Sequence, residues 1–341
     1  MSTIREIASI AGVSPGAVSR ILNQDKTLSV SDATRNRVFS VAQELKYEGR
    51  KLKKTVRPIS EKQKTFGILQ WYSASQELED SYYLSIRMGV EKYCMENNIL
   101  VRRAFKSDSD YISSLDDIDG MICIGKFGQN ELSCFQKITD NYILVDMQTE
   151  RISHPSITVD FEHAIIDVID YLYHLGHRKI GYLGGLEYID DGQLYFEQRK
   201  ATFERYCTRL KIEYKPYMLE SAYSIESGYE MMNQLIGRKT LPTALFTASD
   251  SLALGAMRAL NEHKIKVPAD LSLVGFNNID AAAYSTPPLT TVNAPTQLMG
   301  ACAANFLATG NRLHTSKTVP LQMILPCQLI KRASCSIPQI N

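Results

Sequence analysis

Residues 3–23 read TIREIASIAGVSPGAVSRILN, two short helices joined by a tight Ala-Gly-Val turn, and this pair decides the fold of the N-terminal region. Thr3 and Glu6 have the T-x-x-E spacing of a capping box, in which the threonine hydroxyl accepts from a first-turn N–H and the glutamate reaches back to the cap. Ile4, Ile7, Ala8 and Ala11 recur at helical spacing, and Gly12 follows where a left-handed residue ends a helix. Ser14 caps a second helix that opens with Pro15, whose missing N–H costs nothing because first-turn donors have no intrahelical partner. Ala17, Val18, Ile21 and Leu22 give that helix its apolar side. A third helix, from a Ser31 cap through Thr34, Val38, Val41, Ala42 and Leu45 to Tyr47, closes a three-helix core. Such a pair has the shape of a helix-turn-helix that enters a DNA major groove, although any αα-hairpin with a glycine turn shares the pattern. The chemistry on its outer side adds to it. Ser14, Ser19, Arg20, Asn23, Arg35 and Arg37 are donors for phosphates and bases, beside the plainer reading of a solvated helical surface.

Working outward, the charge divides unevenly along the 341 residues. The net charge is +1, yet residues 1–64 hold 13 Lys/Arg against 6 Asp/Glu, and residues 65–341 hold 25 against 31. A basic headpiece on an acidic body implies a polyanion partner for the first and a different task for the second. Residues 48–64, EGRKLKKTVRPISEKQK, are basic, poor in large apolar groups and interrupted by Pro58, as a linker is. Beyond it, short apolar runs alternate with amphipathic stretches: TFGILQWY, GMICIG, YILVDM, SITVD, KIGYLGG, TALFTASD and LSLVGFNN, with helices expected near 83–97, 163–175, 198–210 and 251–263. That rhythm predicts parallel sheets covered by helices, with ligands at the C-terminal strand ends. Seven cysteines, an odd number without a C-x-x-C pair, indicate neither a disulfide framework nor a zinc site. The six histidines have no metal spacing, and no cofactor is expected. No apolar run approaches the ~18 residues of a membrane span, so the expected location is the cytoplasm.

Five ordered motifs resemble the lactose-repressor/galactose-repressor (LacI/GalR) family of bacterial transcription regulators. AGVSPGAVSRILN (11–23) is similar to the family's headpiece signature; LGHRKIGYLGG (175–185), TASDSLALGAMRAL (247–260), VPADLSLVGFNNID (267–280) and PPLTTV (287–292) are similar to its core. The resemblance implies an all-α helix-turn-helix headpiece (1–47), a hinge (48–64) and an α/β core (65–341) like the type I periplasmic sugar-binding proteins. That core would have two doubly wound subdomains, about 66–160 with 294–325 and about 161–293 with 326–335. It implies a homodimer on palindromic double-stranded operator DNA, with dimer contacts from Tyr82, Tyr83, Ile86, Val90, Leu254, Met257 and the segment 281–285, several of which also read as core. With no heptad tail after Cys335, a tail-mediated tetramer is not expected.

In the headpiece the family's base-contacting positions fall on Pro15, Gly16 and Arg20. Direct readout then leans on Arg20, bidentate to guanine, on Ala17 against a thymine methyl, and on Ser29. Thr3, Ser14, Ser19, Asn23 and Arg35 would anchor phosphates. The hinge departs from the family pattern: Glu48-Gly49 replaces the usual Pro-Asn, and the minor-groove wedge falls on Val56, with Leu52 a turn earlier. In the core the carried-over effector positions are Trp71, Tyr72, Asp146, Arg199, Tyr223, Ser249 and Asn277, a set suited to a small sugar, with galactose or a galactoside as the specific expectation. Trp71 also has a packing reading and Asp146 a turn reading. Asp160 and Asp250 read as helix caps. Relatives often carry Asn at the Ser249 position and Asp at the Asn277 position.

GMICIGK (120–126) imitates phosphate-loop spacing, but Phe127 stands where a Ser or Thr must hold magnesium. No nucleophile, acid or base constellation appears, which weighs against a sugar-processing enzyme with an accessory headpiece. A family member responding to a non-sugar ligand such as a purine is the other alternative.

Overall fold

A computed structural model describes residues 3–22, 25, 30–45, 63–147, 154–189, 192–238, 240–309 and 320–339. The chain divides into two units, Met1–Lys62 and Gln63–Asn341. In the first, helices Ile4–Ala11, Pro15–Leu22 and Asp32–Glu44 pack around Ile7, Ala8, Ala11, Val18, Ile21, Val38, Val41 and Ala42. Each helix start uses the side chain that the sequence offers. Glu6 N–H donates to Thr3 Oγ1 at 3.3 Å while Thr3 N–H donates to Glu6 Oε2 at 2.7 Å, the reciprocal capping box. Ala17 N–H donates to Ser14 Oγ at 3.1 Å, and Thr34 N–H to Ser31 Oγ at 3.2 Å. Gly12 takes φ 66°, ψ 37°, the left-handed corner that turns the first helix into the second. Tyr47, Asn23, Ser29, Leu52 and Val56 lie outside the described residues.

The second unit holds two six-stranded sheets. In the first, all parallel, the order is Leu100–Phe105, Thr65–Gln70, Gly120–Ile124, Tyr142–Val145, Ser156–Val159, Gln322–Leu325. In the second, Met218–Ser221, Ile180–Gly185, Ala244–Thr247, Ser272–Phe276 and Thr290–Asn293 run parallel, and Gln328–Ile330 closes the edge antiparallel. The chain therefore passes between sheets after Val159, after Asn293 and after Leu325. Both faces of the central strands are covered, so these read as near-continuous apolar runs. In Gly120–Ile124 the alternation still sorts side chains: Ile122 and Ile124 enter one apolar cluster, Met121 and Cys123 the other.

Helices Tyr82–Glu96, Phe161–His174, Gln198–Arg209 and Asp250–Glu262 fall within two residues of their expected bounds. The alternation did not reveal strands Leu100–Phe105 and Met218–Ser221, helices Ile225–Gly237 and Thr296–Ala308, or the small ribbon Tyr188–Ile189 with Gln193–Leu194. Leu100–Phe105 has a single buried residue and carries Arg102 and Arg103, as an edge strand does, so its apolar signal is weak. All seven cysteines are free thiols. His177 is buried, with Nδ1 2.9 Å from Thr243 Oγ1 and Nε2 3.0 Å from the Ser336 carbonyl, and so ties the C-terminal segment to the second sheet.

Candidate functional site

On the headpiece, Thr3, Ser14, Pro15, Gly16 and Arg20 are exposed, and Ala17, Ser19 and Arg35 are half-buried. The Thr3 and Ser14 hydroxyls accept in their caps and keep a proton for donation outward. The Arg20 side chain is 48% exposed and donates from Nε to Asp25 Oδ2 at 2.7 Å, which fixes the plane of its guanidinium fork. This surface can donate to phosphates along one helix pair and present one planar fork to a base edge.

In the second unit, loops from the C-terminal ends of both sheets meet in a cleft. Trp71 and Tyr72 follow strand Thr65–Gln70, Asp146 follows Tyr142–Val145, and Asn277 follows Ser272–Phe276. Asp146 at φ 64° and Asn277 at φ 108° both hold left-handed backbone, a strain of roughly 1–3 kcal/mol for a side-chain-bearing residue. Gly125, at φ 114°, lies so near Trp71 that an added Cβ would sit 2.4 Å from the Trp71 Cβ. The wall is aromatic. Tyr72 and Tyr83 meet edge to face at 4.7 Å between centroids, with Trp71 5.1 Å from Tyr72 and Tyr82 5.1 Å from Tyr83.

Asp146 is buried, and its carboxylate accepts from Tyr82 Oη and Tyr83 Oη, each at 3.0 Å, and from Lys126 Nζ at 2.6 Å. Lys126 also reaches the Asp146 carbonyl. Burial alone would lower the Lys126 pKa, but Asp146 beside it holds the ammonium above its ordinary range. Arg199 donates from Nε to Glu197 Oε1 at 2.8 Å, from Nη2 to Glu197 Oε2 and to Tyr223 Oη, both at 2.6 Å, and from Nη1 to the Ala248 carbonyl at 2.7 Å. Burial pushes Glu197 up, yet this bidentate pairing outweighs it and holds the carboxyl at about 2. Glu187 lacks such a cation partner, and burial raises it to about 7. Asp80, buried beside Tyr82, is raised for the same reason.

Tyr72, Asp146, Arg199, Tyr223 and Asn277 therefore line one inner cavity, whose volume of about 20 Å³ accommodates roughly one water molecule. Outside it a mouth of about 460 Å³ is lined by Trp71, Tyr72, Lys106, Glu187, Tyr188 and Tyr223. Ser249 stands apart from both linings. It is fully buried, and its hydroxyl accepts the Leu252 N–H at 3.2 Å as the cap of helix Asp250–Glu262. That cap displaces Asp250, whose carboxylate instead accepts from Thr291 Oγ1 at 2.6 Å and Ile279 N–H at 2.9 Å. Asp160 does cap its helix, accepting from His163 N–H at 3.0 Å.

Sequence reasoning missed Asp80, Lys126, Phe161, Glu187 and Glu197 as cleft residues. Lys126 and Glu187 follow the ends of strands Gly120–Ile124 and Ile180–Gly185, so the strand-end rule contained the signal that would have found them. Tyr82 and Tyr83, expected at a dimer face, instead point their hydroxyls into the cleft, and Ile86 and Val90 are fully buried in the core. Among the described residues no group of His, Cys, Asp and Glu could hold a metal ion, and no helix is long and apolar enough to cross a membrane.

Residues 3–49 match the bacterial regulatory proteins of the lacI family, and residues 169–335 match a periplasmic binding protein-like domain. The chain is 36% identical over 337 residues to the HTH-type transcriptional regulator GalR of Streptococcus thermophilus, covering 98% of this chain and 99% of that one. It is 35% identical over 342 residues to the HTH-type transcriptional repressor MelR of Bacillus subtilis (strain 168), with 98% of each covered. Its fold is that of the lac repressor dimer bound to operator and the anti-inducer ONPF, with a TM-score of 0.69 at 24% identity over 98% of this chain and 99% of that one. With more than a third of its residues shared along nearly the whole of both chains, this chain belongs to the lacI family of bacterial regulatory proteins.

Proposed function

We propose that this chain is a sequence-specific DNA-binding repressor of a sugar-utilisation operon, released from its operator by a small sugar, galactose or a galactoside. Residues 1–47 form the reader, 48–64 the hinge and 65–341 the effector and dimerisation core. Arg20 reads a base, Ala17 packs on a thymine methyl, and Thr3, Ser14, Ser19 and Arg35 set the register on phosphates. The working form is a homodimer on a palindrome, because one headpiece makes too few contacts to select a site. Trp71, Tyr72, Asp146, Arg199, Tyr223 and Asn277 hold the sugar. Aromatic faces meet its C–H surface, and the carboxylate, amide and guanidinium meet its hydroxyls.

The observation that carries this reading is the aromatic, acid-lined cleft between two parallel-sheet lobes, encoded in the same polypeptide as a capped helix-turn-helix. The names of the relatives GalR and MelR support a sugar as the effector. Sugar would bias the lobes toward one arrangement and lower operator affinity, with a coupling of about 1–3 kcal/mol that operator DNA must return to sugar binding.

The test is fluorescence anisotropy of the full chain on an operator selected from random DNA, with and without galactose or melibiose. Release by sugar is expected. Failure to bind any DNA at low salt overturns the reading, and conversion of the galactoside to product would favour an enzyme.

A further inference from the structure

Four buried side-chain oxygens around the cleft have no partner among the described residues: Glu187 Oε2, Asn277 Oδ1 and Gln198 Oε1, which accept, and the Thr158 hydroxyl, which accepts or donates. Glu187 is the most telling. It lines both the inner cavity and the mouth, it is buried, and its other oxygen has only a long contact of 3.4 Å from Tyr83 Oη. A buried carboxylate oxygen is costly to leave without a donor, and a ligand hydroxyl that reaches this cavity can supply one.

The cations tell the complementary half. Lys126 and Arg199, which line the inner cavities, are paired with Asp146 and Glu197, each at 2.6 Å. Lys106 at the mouth is paired with Glu131 at 2.7 Å. The mouth adds Glu79 to Glu187. Among the described residues around the cleft, Lys106, Lys126 and Arg199 each already have a carboxylate, whereas the Glu187 carboxylate has no cation in ion-pair range. A phosphate ester would bring ~1.5–2 negative charges and more acceptors to that wall. A neutral polyol brings donors.

We propose that the effector is an unphosphorylated saccharide and that Glu187 selects it, accepting hydrogen bonds from its hydroxyls and repelling a phosphate ester. This rests on the reading of the cleft as a sugar site and adds which chemical form of sugar it takes. Gln198 and Asn277 add neutral amides, whose oxygens accept from hydroxyls and whose NH2 groups donate to them. Burial raises the Glu187 pKa to about 7, and hydrogen bonds from sugar hydroxyls favour its ionised form.

The experiment is calorimetric titration of the full chain with galactose, lactose and melibiose, against galactose 6-phosphate and lactose 6-phosphate, for the wild type and Glu187→Gln. A free sugar should bind at least about a hundredfold more tightly than its phosphate. Glu187→Gln should weaken the free sugar by roughly ten- to a hundredfold and narrow the gap to the phosphate, because it removes both the acceptor charge and the repulsion. Equal or tighter binding of a phosphate by the wild type overturns the proposal, as does a Glu187→Gln variant that weakens both forms by the same factor. If neither form of any of these sugars binds, the carbohydrate reading of the cleft falls, and the proposal with it.

Discussion

Tyr83 in the first lobe and Glu187 in the second meet at 3.4 Å, hydroxyl to carboxylate, while the same hydroxyl lies 3.0 Å from Asp146. One phenolic proton thus faces two carboxylates, one from each lobe, and it serves Asp146 better. Tyr83→Phe removes that proton and keeps the ring against Tyr72. The expected loss is about 1.5–3 kcal/mol, the worth of a hydrogen bond to a charged group, read from the urea midpoint.

Glu197→Ala strands the Arg199 guanidinium in a site where its side chain is 10% exposed. Breaking such a pair from one side costs about 3–5 kcal/mol, more than the pair itself contributes against an apolar replacement. The pH course follows from the depressed carboxyl. Its contribution is complete above the unfolded value of 4.5 and is lost as pH falls through the folded value of about 2. Denaturation curves of wild type and variant should therefore converge at acid pH.

Asp250 acts in the opposite sense. Burial raises it from 3.8 to about 7, so the folded state binds its proton more tightly than the unfolded state does. Its contribution is full below 3.8 and disappears as pH rises through about 7. Asp250→Asn keeps an acceptor for Ile279 N–H and a donor for Thr291, and removes the titration. The stability difference between variant and wild type should grow in the variant's favour between about pH 4 and pH 7 and level off above, measured by urea unfolding at each pH.

Trp71 is the single tryptophan of the chain and lines the mouth of the cleft, so its fluorescence reports events there. Sugar binding should change its intensity or wavelength. Gly125→Ala places a methyl 2.4 Å from the Trp71 Cβ on a backbone at φ 114°. It should cost about 1–3 kcal/mol and shift the emission without any ligand.

Arg20→Ala should cost about 1–3 kcal/mol on the preferred operator and relax the choice of one base pair, as measured by anisotropy across single-base variants. The Arg20–Asp25 ion pair is half-exposed and worth only about 0–1 kcal/mol, so its exchange for guanine is cheap.

Much of this architecture is local information. The Thr3–Glu6 box, the Ser14 cap and the Gly12 corner are set by groups three or four residues apart, and the structure shows each of them. The runs GMICI and YILV become strands because apolar residues with both faces covered have few other ways to satisfy their backbone. Ser249 shows the limit: a hydroxyl beside a strand end reads by sequence as a ligand group or a helix cap, and only the structure shows the cap, a 3.2 Å bond accepted from Leu252 N–H.

The sequence by itself determined the capped helices, the alternation of strand and helix, and the strand-end positions of Trp71, Asp146 and Asn277, because each follows from neighbours along the chain. Only the tertiary structure decided that Lys126 neutralises Asp146, that Tyr83 reaches Glu187, and that Glu187 keeps an oxygen unpaired. These partners lie 20 and 104 residues apart. Their burial and electrostatics exist only once two sheets close on one cleft, since desolvation depends on what surrounds a charge in space and not on what precedes it in the chain.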